Sequence, residues 1–215
     1  EYAILVLVIL FQPEIRRFLE RVGSSRMSKV FVQPPEAAHD IDSAISQTVE
    51  AYTSLSKDKV GALMVFERAN LLDEVIKTGT ALDCAVSSEL LKNLFWNKAP
   101  LHDGAVIVRN GRIVGAGCML PLSGNTNLSR DLGMRHRAGI GMSEHSDAVV
   151  AIVSEETGSI SVAVGGMLKR HLAPETLDRL LRNELKTDED DGEKKSDLFP
   201  LVAALFNRGK KEGTE

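Results

Sequence analysis

Two cysteines in 215 residues are too few for a disulfide framework, and Cys84 and Cys118 stand far apart in apolar runs with no Cys-x-x-Cys or Cys/His spacing. A zinc module and a stapled secreted scaffold are therefore excluded, and both residues are expected as buried free thiols of a reducing compartment. Positive charge is also in short supply: 26 Lys and Arg face 30 Asp and Glu, for a formal net charge of −4. Without a global basic field, or a run of aromatics interleaved with Lys or Arg, a coat for nucleic acid is disfavoured and no nucleic-acid partner is expected. Any phosphate chemistry must come from a local cluster. No internal repeat or low-complexity tract suggests a solenoid. Nor is there an apolar run of the roughly 20 residues that a helix needs to cross a bilayer, since Tyr2 to Phe11 supplies only about half of that length.

What that short run does have is an uncharged sequence, YAILVLVILF, followed by Gln12-Pro13-Glu14 and then by Arg16, Arg17, Arg21 and Arg26. Basic residues after an apolar stretch mark the cytoplasmic exit of a membrane helix, and the order is wrong for a signal peptide. Residues 1–28 are accordingly expected to be the end of a membrane anchor and its juxtamembrane segment, the remaining N-terminal helices lying outside this sequence. The chain would then sit at the cell membrane with its folded domain in the cytoplasm.

With 43% hydrophobic residues the rest of the chain can bury the core of one domain, expected over residues 29–185. Apolar residues at Ala38, Ile41, Ile45, Val49, Tyr52 and Leu55 form the stripe of an amphipathic helix. Gly61 to Phe66 has strand character, and Ser87 to Trp96 a helical pattern with serines to cap its start. Asn110-Gly111 between Ala105–Arg109 and Arg112–Leu120 is a strong hairpin signal, because both residues accept the positive φ of a type I′ turn. Pro121 to Asp131 is a loop by composition, and Ala138 to Ser146 is a helix interrupted by glycines. Ala148–Ser154 and Ile160–Val164 make a second hairpin, and a helix follows Pro174 with Leu177, Leu180 and Leu181 inward. Residues 186–215 are expected to be a charged solvated linker through Lys195, an apolar segment Leu198–Phe206 able to dock back, and a tail. The fold class is α/β, a central mixed sheet flanked by helices.

Three clusters can carry chemistry. His102-Asp103-Gly104 opens the first hairpin, where a carboxylate can hold a divalent cation and a glycine lets a ligand approach bare backbone. Arg135-His136-Arg137 follows Gly133 near a helix start; guanidinium forks and helix N-termini both suit a polyphosphate. Ser154-Glu155-Glu156 ends an apolar strand, where a glutamate can assist a metal or hold an arginine. Taken singly each has an ordinary alternative: an Asp-Gly turn, a solvated basic turn, a pair of acids in water. A site is indicated by their joint appearance, each beside an expected core strand.

At these residues the chain resembles the diadenylate cyclases, enzymes that make cyclic di-AMP from ATP, and especially their membrane-anchored bacterial class. The resemblance runs from about Phe11 to about Val164, through FQPEIRR, VGALMVFER, APLHDGAV, AGCMLPLS, LGMRHRAGIG and SEETGSISVA. It implies that Asp103, with Gly104, binds a divalent metal, Mn or Mg, and activates the ribose 3′-hydroxyl. Arg135, His136 and Arg137 would hold the triphosphate and act in catalysis. His102 and Glu156 match positions near the metal and phosphates, with His102 a metal ligand and Ser154 nearby. Met119 and Leu120 match the place that holds adenine, to which Met64 would add a wall, and Met134 and Ala138 flank the arginines against the nucleotide. The resemblance further implies two protomers face to face, each holding one ATP, and control by regulatory proteins. One departure stands out: the residue before the RHR triplet is threonine in that family and here is Met134, which cannot donate a hydrogen bond. The alternative it opens is an ATP-binding regulatory domain of the same fold with weakened catalysis.

Overall fold

The computed structural model describes residues 36–125, 128–129 and 132–196. Within these residues lie five helices and seven strands, in the order α1 (Glu36–Lys57), β1 (Ala62–Phe66), α2 (Asp73–Ile76), β2 (Thr80–Ala85), α3 (Ser88–Phe95), β3 (Ala105–Arg109), β4 (Arg112–Cys118), α4 (Met134–His145), β5 (Val149–Val153), β6 (Ile160–Val164), β7 (Met167–Lys169) and α5 (Pro174–Ser196). The expected anchor at Tyr2–Phe11, its basic flank and the segment Leu198–Phe206 all lie outside the described residues.

The strands form one sheet in the order β2-β4-β3-β1-β5-β6-β7. β1 and β3 run parallel and every other neighbouring pair is antiparallel, which makes the sheet mixed, as expected. β1, β3 and β5 are almost wholly buried because the sheet is covered on both sides. The two-residue alternation of a strand sorts their side chains into two cores. Ala62, Met64 and Phe66 join Ile45, Tyr52 and Leu55 of α1, Leu91 and Phe95 of α3, and Leu177 and Leu181 of α5. Leu63 and Val65 join Leu72, which precedes α2, and Ala138, Ile140 and Met142 of α4 on the opposite face. Tyr52 is fully buried and its hydroxyl donates to the Ala151 carbonyl at 3.0 Å, tying α1 to β5.

Local signals account for several boundaries. The β3–β4 turn holds Asn110 at φ 49° and Gly111 at φ 76°, the two positive values that an Asn-Gly hairpin requires. Ser87 caps α3, its side chain accepting from the Leu90 N–H at 3.3 Å. One boundary differs from expectation. α4 begins at Met134, ahead of Ala138, so the RHR triplet is the first helical turn instead of a loop before it. α5 runs from Pro174 to Ser196, so the charged stretch after Leu185 has helical backbone. Cys118 is buried and Cys84 half-buried, both free, and burial pushes the Cys118 thiol pKa up.

Candidate active site at one end of the sheet

The strand register decides which loops meet. Met64 pairs with Val106 in the parallel β1–β3 ladder, so the loop with Asp103 and Gly104 that leads into β3 and the residue Gly61 that leads into β1 lie at the same end of the sheet. Across the other edge of β1, Ala62 pairs with Val153, which sets Ser154 beside Gly61. Because β1 lies between β3 and β5, Gly61 falls between Asp103 and Ser154 in a row at this end of the sheet. Val153 also pairs with Ile160, and Ala105 with Cys118, so the 154–159 turn and Met119 lie at the same end.

α4 brings the arginines to this row. Gly133 is its N-cap and, having no side chain, supplies no cap to the first backbone N–H groups of the helix. A Cβ built on Gly133 would lie 3.8 Å from Glu156 Oε1, placing the helix start against the 154–159 turn. Arg135 reaches back over Gly61, and its Nη1 pairs with Glu155 Oε2 at 2.6 Å. Arg137 is exposed, and its guanidinium makes no ion pair among the described residues. Ser56 of α1 steadies the turn from below, its hydroxyl donating to the Gly158 carbonyl at 2.6 Å.

The Asp103 carboxylate is exposed and has no hydrogen bond or ion pair with the described residues. Next to it, His102 Nδ1 lies 2.6 Å from the Ala99 carbonyl. A carbonyl only accepts, so Nδ1 carries the proton and Nε2 is left as a free lone pair. Among the described residues no group of three or more His, Cys, Asp or Glu gathers into a ready metal cage. On the far side of β3, Met119 is 70% exposed and its N–H donates to Thr78 Oγ1 at 2.8 Å, while Leu120 is half-buried against the α4-side core.

Three expected residues lie elsewhere than a direct nucleotide contact requires. His136 is 4% exposed and turned inward, with Nε2 3.4 Å from Ser161 Oγ of β6. At the third position of the helix its ring faces the sheet, where burial, and secondarily the charge of Arg170, holds its pKa below the ordinary histidine value. Ala138 is likewise buried, its methyl group in the α4-side core. Met64 is fully buried on the opposite face, where its Sδ meets the Thr48 hydroxyl at 3.6 Å, so it cannot add to a wall around adenine. Alternation along β1 explains this: Met64 points toward α1 and not toward α4. Sequence reasoning overlooked Gly61 and Thr78, both of which touch site residues; their sequence signals are a single glycine before a strand and a threonine after a short helix.

Residues 49–168 match the family described as "DAC: DisA bacterial checkpoint controller nucleotide-binding". The chain is 43% identical to the cyclic di-AMP synthase CdaA of Bacillus subtilis over 88% of its own length and 69% of that protein. It is 40% identical to a diadenylate cyclase of Listeria monocytogenes, over 86% and 67% of the two chains. Among solved structures, a double mutant of DacA from Staphylococcus aureus is similar at 43% identity and a TM-score of 0.66, covering 68% of this chain and 98% of that one. A hypothetical membrane spanning protein from Bacillus cereus is similar at 37% identity and a TM-score of 0.58, over 77% and 80%.

Proposed function

The chain belongs to the diadenylate cyclase family, and on that premise we propose how its own residues serve the reaction. It is a nucleotidyltransferase that condenses two ATP into cyclic di-AMP with release of two pyrophosphates, and it works as a homodimer. Each 3′-hydroxyl attacks the α-phosphorus of the other ATP while pyrophosphate departs in line, so catalysis is mostly positioning and charge neutralisation. A two-fold symmetric product calls for one ATP per protomer and an isologous meeting of two such sites.

Arg137, exposed and unpaired, grips the triphosphate, and Arg135 supports it from over Gly61. The backbone N–H groups at the start of α4 donate to phosphate oxygens along the helix axis. Gly104 leaves the backbone bare where the nucleotide passes, and Asp103 receives the proton of the attacking hydroxyl. Ser154 and Glu156 border the phosphates from the facing turn. Adenine lies along Met119 and Leu120, whose backbone is held by Thr78. His136 and Ala138 serve from beneath, fixing the helix that carries the two arginines.

The donor set beside Asp103 fits a divalent cation. An unpartnered carboxylate and one imidazole nitrogen suit Mn²⁺ or Mg²⁺, which keep waters and substrate phosphates as their other ligands. Asp103 and His102 would hold such an ion, and the chemistry it would supply when bound is a lower proton affinity of the hydroxyl and neutralisation of phosphate charge.

Attachment to the cell membrane, with the catalytic domain on the cytoplasmic side, is supported by the arginines after Phe11 and by the Bacillus cereus neighbour described as membrane spanning. Among the described residues no helix is long and apolar enough to cross a membrane.

The observation that carries the assignment of roles is the row Asp103, Gly61, Ser154 with Arg135 lying over its middle member. Mass spectrometry of the purified chain incubated with ATP and Mn²⁺ or Mg²⁺ tests it, with GTP as control for base choice. Cyclic di-AMP and pyrophosphate are expected from ATP. ATP binding without product, with either metal, would support the weakened regulatory domain instead.

A further inference from the structure

We propose that Gly61 is a positioning residue for the triphosphate: having no side chain, it makes the flat seat on which the Arg135 guanidinium rests. The proposal deepens the reading of the site given above and rests on it. A Cβ added at Gly61 would lie 2.7 Å from both Cζ and Nη1 of Arg135 and 3.0 Å from Nε. Three atoms of one planar group at nearly equal distance mean that the guanidinium lies face-on over this position. Glu155 Oε2, 2.6 Å from Nη1, holds the group at its edge. One face and one edge are thus fixed, and the remaining N–H groups are free to meet phosphate oxygens in their planar fork.

Gly61 is not there for backbone freedom, because its φ lies outside the left-handed range. The three nearest atoms to an added Cβ all belong to the tip of Arg135, a flexible side chain able to yield. An alanine would therefore leave the fold intact and lift the guanidinium from its seat. Gly61 is the middle member of the row between Asp103 and Ser154, so a displaced Arg135 would be misplaced relative to both flanks of the bound nucleotide. A preset guanidinium also spares ATP the entropy of ordering a long side chain on binding.

The test is a double-mutant cycle read by calorimetric binding of a non-hydrolysable ATP analogue with Mg²⁺, alongside the thermal unfolding midpoint. Gly61→Ala is expected to weaken binding about tenfold with an unchanged midpoint. In an Arg135→Lys background the same substitution should cost nothing more, because a compact ammonium needs no flat seat. Wild-type binding by Gly61→Ala would overturn the proposal. So would an equal loss in both backgrounds, or a loss that follows a fallen midpoint. Failure of the unmodified protein to bind the analogue would sink the functional reading itself, whereas binding by that protein with additive substitutions sinks only the role of Gly61.

Discussion

A Cβ on Gly104 would stand 2.5 Å from the carbonyl carbon of Gly117, and 2.9 Å from the amide nitrogen of Cys118. The loop carrying Asp103 is thus pressed against the end of β4, and the backbone that would hold adenine starts at that contact. Gly104 also has φ 118°, a conformation that costs an L-residue about 1–3 kcal/mol.

Gly104→Ala is therefore expected to lose at least about 2 kcal/mol of stability, since strain adds to a clash with backbone that cannot rotate away. Chemical denaturation would show the fall, and cyclic di-AMP formation should be lost with it.

Asp103→Asn separates chemistry from stability. The carboxylate is exposed and unpartnered among the described residues, so the unfolding free energy should stay within about 0.5 kcal/mol of the unmodified protein. Product formation should nevertheless fall below detection by chromatography of the reaction with ATP. Retained turnover would remove Asp103 from the metal and base role.

The buried His136 gives stability a pH dependence. Its folded pKa lies below the ordinary 6.5, so the unfolded chain takes up the proton first. The contribution is complete above about pH 6.5 and is lost as pH falls through that value and on through the lower folded one. Urea midpoints measured from pH 7.5 to 5.5 should decline, and His136→Gln should make the decline shallower.

Met134 is 66% exposed at the first position of α4, after an N-cap glycine that has no side chain to cap the helix. Met134→Thr adds a hydroxyl where the resembled family has one. A hydrogen bond to a charged group contributes about 1.5–3 kcal/mol, so KM for ATP should drop at least several-fold with the fold unchanged. Steady-state kinetics on the two proteins would decide it.

The elements legible in the sequence were those with a strong local cause. The apolar stripe from Ala38 to Leu55 gave α1, Asn110-Gly111 gave the β3–β4 hairpin, and the runs beside Glu155 to Ser159 gave β5 and β6. The half-exposed β2 and the three-residue β7 had too little periodicity to be seen, because their pattern is imposed by neighbours already in place. Within the site, Asp103 and the arginines could be singled out by residue type, but their meeting depends on register. Nothing local says that Gly61 lies between Asp103 and Ser154. The inward turn of His136 follows from α4 starting at Met134, a boundary that an uncapped glycine left unmarked.

The most direct measurement is a crystal structure of the chain with a non-hydrolysable ATP analogue and Mn²⁺, with anomalous scattering used to locate the ion. Anomalous density at the Asp103 carboxylate, with the triphosphate of the same nucleotide against Arg135 and Arg137, is the expected result. A nucleotide bound elsewhere on the sheet, or an ion remote from Asp103 while the arginines stay empty, would contradict a single site built from the two loops.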